Sequence, residues 1–210
     1  MLIMHDLKNK IEALKKSKIK IQIDKRIQEF KNINKKSIDD LFIELCFCIL
    51  TANFNAEKSI KIQEKIGSCF LIDNKDELSK KLKEFGHRFP NTRAEYISES
   101  LKCKNKLKEV LQSNDKKAIR DWIVNNVKGL SYKESSHFLR NIGFDDYAII
   151  DFHIIDILSN HNLIKKPQTI TKKKYLEIEN ILKKLAKETN LTLAELDLYL
   201  WYMETGKILK

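Results

Sequence analysis

The sequence predicts an all-α chain. Turn-forming residues are scarce, with five Gly and two Pro in 210 residues, and strand-like alternation is almost absent. Apolar residues recur instead with the 3.6-residue period of helices buried on one side. From this pattern, helices are expected over about residues 5–16, 20–31, 38–51, 56–66, 75–85, 91–103, 106–112, 115–126, 132–142, 151–160, 172–189 and 192–203. The third carries the richest apolar stretch, Leu41 to Leu50, interrupted by Glu44. The ninth starts just after Ser131, which has capping-box spacing to Glu134, and stops at Gly143. The tenth opens at Asp151, a good N-cap between Tyr147–Ile150 and His153–Leu158. In the eleventh, Ile178, Ile181, Leu182 and Leu185 form one stripe while Lys183, Lys184 and Lys187 face away. Neither an internal repeat nor a low-complexity linker interrupts the series.

The formal net charge is +11, and only five of the 40 cationic residues are Arg. A Lys-rich surface attracts polyanions as point charges, without the forked geometry of Arg. Phosphate backbones and anionic membranes both fit, as does a merely solvated surface. Apolar runs fall well short of the roughly 18 residues that a span needs, and Met1 to Lys10 lacks the apolar core of a signal peptide. A cytoplasmic protein is expected. Cys46, Cys48, Cys69 and Cys103 are scattered without zinc-knuckle spacing, so they read as buried apolar thiols with neither zinc nor an iron–sulfur cluster.

The segment Trp122 to Gly143 carries the strongest signal. It reads as two helices joined by a tight turn, with Gly129 in the left-handed conformation that ends the first. Backbone N–H groups at such a turn, with the dipole of the second helix, suit a phosphate. A helix-hairpin-helix holds DNA backbone in this sequence-independent way. The usual pattern has Gly at both ends of the turn; here Ser131 takes the second place. An αα-corner without a ligand satisfies the same pattern.

Lys133 falls in the first turn of the second helix, facing the positive end of its dipole. That position favours the neutral amine, which can attack a sugar carbon or form a Schiff base. A plain surface lysine fits as well. Asp151 follows eighteen residues later, enough chain to return it to the hairpin. Its carboxylate can stabilise an oxocarbenium-like sugar or help activate the nucleophile, besides capping its helix.

Gly129-Leu-Ser-Tyr-Lys133, followed by Ile149-Ile-Asp151-Phe-His153, resembles the core of the helix-hairpin-helix DNA glycosylase superfamily. The resemblance runs along nearly the whole chain, through Arg26–Phe30, Glu44–Phe54, Gly86–Phe89, Arg93–Ile97, Ser136–Asn141, Glu195–Tyr199 and Trp201–Lys210. Together these segments resemble the type 2 (archaeal-type) 8-oxoguanine DNA glycosylase/AP lyase family. One departure is Phe152, where Arg is expected after the catalytic Asp.

The resemblance implies two helical lobes with the active site in the cleft between them. One lobe is 1–35 with 143–210, carrying Asp151 and the last residues; the other is 36–142, ending in the hairpin. It implies a monomer, without cofactor or metal, acting on double-stranded DNA that contains 8-oxoguanine or abasic sites. The lesion base is flipped out. Lys133 displaces it at the anomeric carbon, the Schiff base drives β-elimination, and Asp151 assists. Lys210, with its terminal carboxylate, is implied to read the N7–H that 8-oxoguanine has and guanine lacks. Phe89 and Trp201 are candidates to sandwich the base, and Asp197 and Gln28 to read its polar edge. Asn53 is a candidate to fill the gap left in the duplex, while Gly129 and Ser131 face the backbone. His87 and His137 lack metal partners at useful spacing and are expected to be structural or phosphate-facing. Two other readings keep the hairpin: a glycosylase for another oxidised base, and a non-catalytic DNA-binding module.

Overall fold

The computed structural model describes residues 3–210, and among them every regular element is helical. Twelve α-helices run in order: α1 Ile3–Lys15, α2 Ile19–Ile33, α3 Ile38–Thr51, α4 Ala56–Ile66, α5 Lys75–Glu84, α6 Pro90–Leu101, α7 Lys104–Leu111, α8 Lys116–Asn126, α9 Tyr132–Asn141, α10 Phe152–Asn160, α11 Lys172–Glu188 and α12 Leu193–Thr205. The all-α expectation holds, and α3 and α4 coincide with their predicted spans. One element escaped the sequence reading, a 3-10 segment at Gly67–Leu71 that buries Phe70.

Local chemistry explains where the helices start. Ser37 with Asp40 and Thr192 with Glu195 form complete capping boxes at α3 and α12. Asn55, Asn74, Asp115, Asp151 and Thr171 each accept a backbone N–H at the starts of α4, α5, α8, α10 and α11. Pro90 occupies the first turn of α6, where its missing N–H costs nothing. Gly206, at φ 68°, ends α12 in the left-handed conformation.

The chain forms two compact units. One comprises the described residues up to Asn32 together with Leu139–Lys210, and the other is Ile33–Phe138. In the second unit α3 is buried on nearly all sides, from Leu41 to Thr51 apart from Ile43. A helix apolar all round belongs in a core. The acid inside this buried stretch, Glu44, accepts from Gln63 Nε2 at 3.0 Å. In the first unit Ile23, Ile27 and Phe30 of α2 meet Ala194, Leu198 and Tyr199 of α12, and Ile208 packs against the same cluster. The segment after α12 is therefore anchored by an apolar side chain. Among the described residues no helix is long and apolar enough to cross a membrane.

Candidate functional site

The hairpin turn, with α8 before it and the start of α9 after it, lies within Ile33–Phe138. α8 ends at Asn126, and Gly129 sits at φ 85°, as the turn requires. α9 then starts at Tyr132. A Cβ on Gly129 would lie 2.4 Å from the Tyr96 ring. Gly129 is thus needed twice, for its backbone angle and for close passage of the turn over an aromatic face. Lys128 completes this corner, reaching Glu95 at 2.9 Å and Glu99 at 3.3 Å above the same ring. Gly129→Ala is expected to cost about 2–4 kcal/mol, the sum of left-handed strain and a ring contact that must give way. Urea denaturation measures this; a loss of only about 1–2 kcal/mol, the left-handed strain alone, would show that the Tyr96 ring yields freely.

Ser131 serves Glu134. Its N–H donates to Glu134 Oε2 at 3.2 Å and its hydroxyl donates to the same oxygen. Ser135 N–H donates to the Ser131 carbonyl at 2.9 Å. The predicted reach of Glu134 back to the Ser131 N–H is present, and that N–H is thereby turned toward a carboxylate. Lys133 is 27% exposed, and its Nζ lies 3.4 Å from Glu134 Oε1. Burial pushes the Glu134 carboxyl up, but Lys133 and the Ser131 bonds outweigh burial and hold it below the ordinary carboxylate value. Upstream, Tyr132 hydroxyl donates to Asp121 and packs under the Arg120 guanidinium, tying the start of α9 to α8.

Asp151 lies in the other unit. It caps α10 by accepting the Ile154 N–H at 3.0 Å and is half-buried. Phe152 follows it, 68% exposed, with its ring 3.9 Å from His153. His153 in turn meets Trp201 edge-on at 4.8 Å. The Trp201 Nε1 is buried and has no acceptor among the described residues. Asp197, one turn before Trp201, forms an ion pair with buried Arg140. Arg140 also donates to Asn141 Oδ1 from Nε and Nη2, and its guanidinium lies over Phe30. Lys210 is half-buried, two residues beyond the anchored Ile208. Gln28 is exposed and donates to Asn32.

Phe89 and Asn53 belong to the hairpin's unit. Phe89 precedes α6 and is half-buried, with Arg88 and Arg93 over its ring at 5.0 and 5.7 Å. Asn53 is exposed, just after α3, with φ 56°. Its position is set by two side chains that satisfy the open carbonyls of the α3 C-terminus: His87 at Leu50 and Arg93 at Ala52.

The model of the 8-oxoguanine DNA glycosylase family matches residues 23–191. The chain belongs to this family. It is 55% identical over 203 residues to the 8-oxoguanine DNA glycosylase/AP lyase of Methanocaldococcus jannaschii, covering 96% of this chain and 98% of that one. The crystal structure of the Methanocaldococcus jannaschii 8-oxoguanine glycosylase/lyase in complex with a 15mer DNA containing 8-oxoguanine matches with a TM-score of 0.94 at 54% identity, over 97% of this chain and 99% of that one. The 8-oxoguanine DNA glycosylase of Thermotoga maritima matches with a TM-score of 0.92 at 41% identity, over 99% and 100%.

In this member of the 8-oxoguanine DNA glycosylase family, the cysteines divide. Cys46 and Cys48 are buried in α3, whereas Cys69 and Cys103 are only half-buried, a correction to the reading of all four as buried. Among the described residues no group of three or more His, Cys, Asp or Glu is placed to hold a metal. His137 is buried against Phe47. His87 is bonded on both ring nitrogens. Phe89 N–H donates to Nδ1 at 3.0 Å, so Nε2 carries the proton and donates to the Leu50 carbonyl at 3.1 Å. Burial, with Arg93 nearby, holds the imidazole below its ordinary value of 6.5. A histidine kept neutral binds fewer protons folded than unfolded. Its stabilisation is complete above pH 6.5 and is lost as pH falls through the lowered folded value. The melting temperature is expected to drop on acidification below pH 6.5, and His87→Gln, which retains a donor to Leu50, to flatten that slope. Equal slopes in both proteins would remove His87 from the account.

Proposed function

We propose that this chain excises 8-oxoguanine from double-stranded DNA and then cleaves the strand at the resulting abasic site. The observation that carries the reading is Lys133 in the first turn of the second hairpin helix, in a chain similar over nearly its full length to enzymes named for this activity. The Lys133 amine attacks C1′ of the flipped nucleotide; the C1′–N bond breaks and its electron pair leaves with the base. Proton loss and ring opening give an imine between Lys133 and C1′. The imine acidifies C2′, and removal of that proton expels the 3′ phosphate by β-elimination. Asp151 supplies negative charge as the sugar becomes cationic.

The remaining residues fit base recognition. The unmet Trp201 donor favours an acceptor on a ligand, because a buried donor left unpaired costs about 1–3 kcal/mol. The ring faces of Trp201 and Phe89 suit stacking, worth about 1–3 kcal/mol per base. Lys210 reads the lesion-specific edge and Gln28 the polar edge of the base, while Asn53 fills the gap left in the duplex. The net charge of +11 favours the DNA backbone, at the chromosome in the cytoplasm.

The test is borohydride trapping on an 8-oxoguanine duplex, compared between the wild type and Asp151→Asn. Asn caps a helix about as well as Asp, so this variant should keep its stability while removing the charge. The wild type is expected to form a covalent complex, and the variant to form it about 100- to 10,000-fold more slowly. No wild-type complex would end the reading. Normal trapping by the variant would leave Asp151 a cap alone.

A further inference from the structure

α4 is anchored on one side and exposed on another. Ser59, Ile62 and Ile66 are buried, and Gln63 Nε2 donates to the Ile43 carbonyl at 3.2 Å and to Glu44 at 3.0 Å, fixing the helix on α3. Lys58, Lys61 and Lys65 are exposed. At about 100° per residue they fall within about 60° of one another, in a row about 10 Å long. Glu57 and Glu64 fall on the neighbouring side of the helix. Among the described residues no carboxylate pairs with Lys58, Lys61 or Lys65, whereas Lys81, Lys104, Lys106 and Lys128 of the same unit are each paired. We propose that this row is a second phosphate-binding surface, apart from the hairpin turn, which takes the backbone of one DNA strand beside the lesion. The proposal rests on the reading of the chain as a DNA glycosylase and of Asn53 as the residue that enters the duplex.

The row costs the protein stability when nothing is bound. Lys58 with Lys61 and Lys61 with Lys65 are like-charge pairs three and four residues apart, and each slightly destabilises a helix. An anion along the row relieves both. The spacing suits a strand: its phosphates advance about 3.4 Å per nucleotide along the duplex axis, so a row of about 10 Å covers three steps. The chain also sets the place. Asn55 caps α4 by accepting the Lys58 N–H at 3.0 Å, and Asn53, exposed with φ 56°, lies two residues before that cap. A duplex that receives Asn53 brings its backbone next to the start of α4. Lysines serve there as point charges on flexible stems, which fits contact with any sequence. α11 carries a row of equal charge, Lys173, Lys184 and Lys187, but in the other compact unit and with Glu177 on the same face.

The test is fluorescence anisotropy with a duplex carrying a tetrahydrofuran abasic-site analogue, which cannot form an imine, over about 50 to 200 mM KCl. The wild type is compared with two triple variants of the full chain. One combines Lys58→Gln, Lys61→Gln and Lys65→Gln. The other combines Lys173→Gln, Lys184→Gln and Lys187→Gln, removing the same charge from exposed positions of α11. Each phosphate contact contributes about 0.9 to the slope of log affinity against log salt. The α4 triple is expected to lower that slope by about two to three and to bind about 10- to 100-fold more weakly at about 100 mM salt, and the α11 triple to lower the slope by less than about one. Equal losses in the two triples would make the effect one of net charge and overturn the proposal. An unchanged slope in the α4 triple, or a wild type that does not bind the duplex, would also overturn it. Thermal melts read folding separately, and relief of repulsion predicts that the α4 triple melts at or above the wild-type temperature. Should it fail to fold, Lys61→Gln alone replaces it: a slope lower by about one supports the row, and no change overturns it. Absence of a borohydride complex in the wild type would instead count against the proposed function, because the salt slope needs no chemistry.

Discussion

Lys133→Gln is expected to abolish the borohydride-trapped complex and to slow strand cleavage at a preformed abasic site by about a thousand-fold or more. The size follows from chemistry: without the primary amine there is neither an imine nor acidification of C2′. Binding should change little. Lys133 is one of 40 cationic residues, and losing one phosphate contact lowers the salt slope by at most about one. Stability should stay within about 1 kcal/mol, because relief of an unfavourable cation at a helix start opposes loss of the Glu134 pair. Lys133→Arg makes the test sharper. It keeps a cation opposite Glu134 but is not nucleophilic at neutral pH, so it should be as inactive as the Gln variant. Trapping that survives in either variant places the nucleophile elsewhere.

The two residues proposed for the chemistry were legible because local patterns mark them. Gly129 and the Ser131–Glu134 spacing set the start of α9 and so the place of Lys133 in its first turn. Asp151 stood at the break between an apolar run and a helix, where a cap belongs. Most helix spans followed for the same reason: capping and a 3.6-residue stripe are properties of neighbouring residues. The 3-10 segment at Gly67–Leu71 was missed because one short turn has no room for a period. The side chains that hold the candidate site were missed for a different reason. Glu134 looked complete as a cap, and nothing in its spacing showed that its second oxygen would turn to Lys133. His87 and Arg93 fasten the end of α3 from 37 and 41 residues away, across distances that leave no periodic trace.

Asp197 shows the same limit with the largest structural consequence. In sequence it is an acid in an apolar stripe, open to a base edge or to a buried Arg. In the structure Arg140, 57 residues earlier, takes one of its oxygens, with side-chain exposures of 4% for Arg140 and 10% for Asp197. Removing one partner of such a pair strands a charge in the interior, which costs about 3–5 kcal/mol. Asp197→Ala should therefore lower the melting temperature by roughly 6–20 °C in a chain of this length. Arg140→Ala should be at least as damaging, because the guanidinium also serves Asn141 and covers Phe30. The double replacement Arg140→Met with Asp197→Leu is expected to recover much of the loss, since paired apolar side chains leave no stranded charge. Thermal melts of the two single variants and the double variant form the cycle that isolates the pair. Additive losses would mean that the two charges do not depend on each other. A stable Asp197→Ala protein that had lost only its preference for 8-oxoguanine would return Asp197 to the role of base reader.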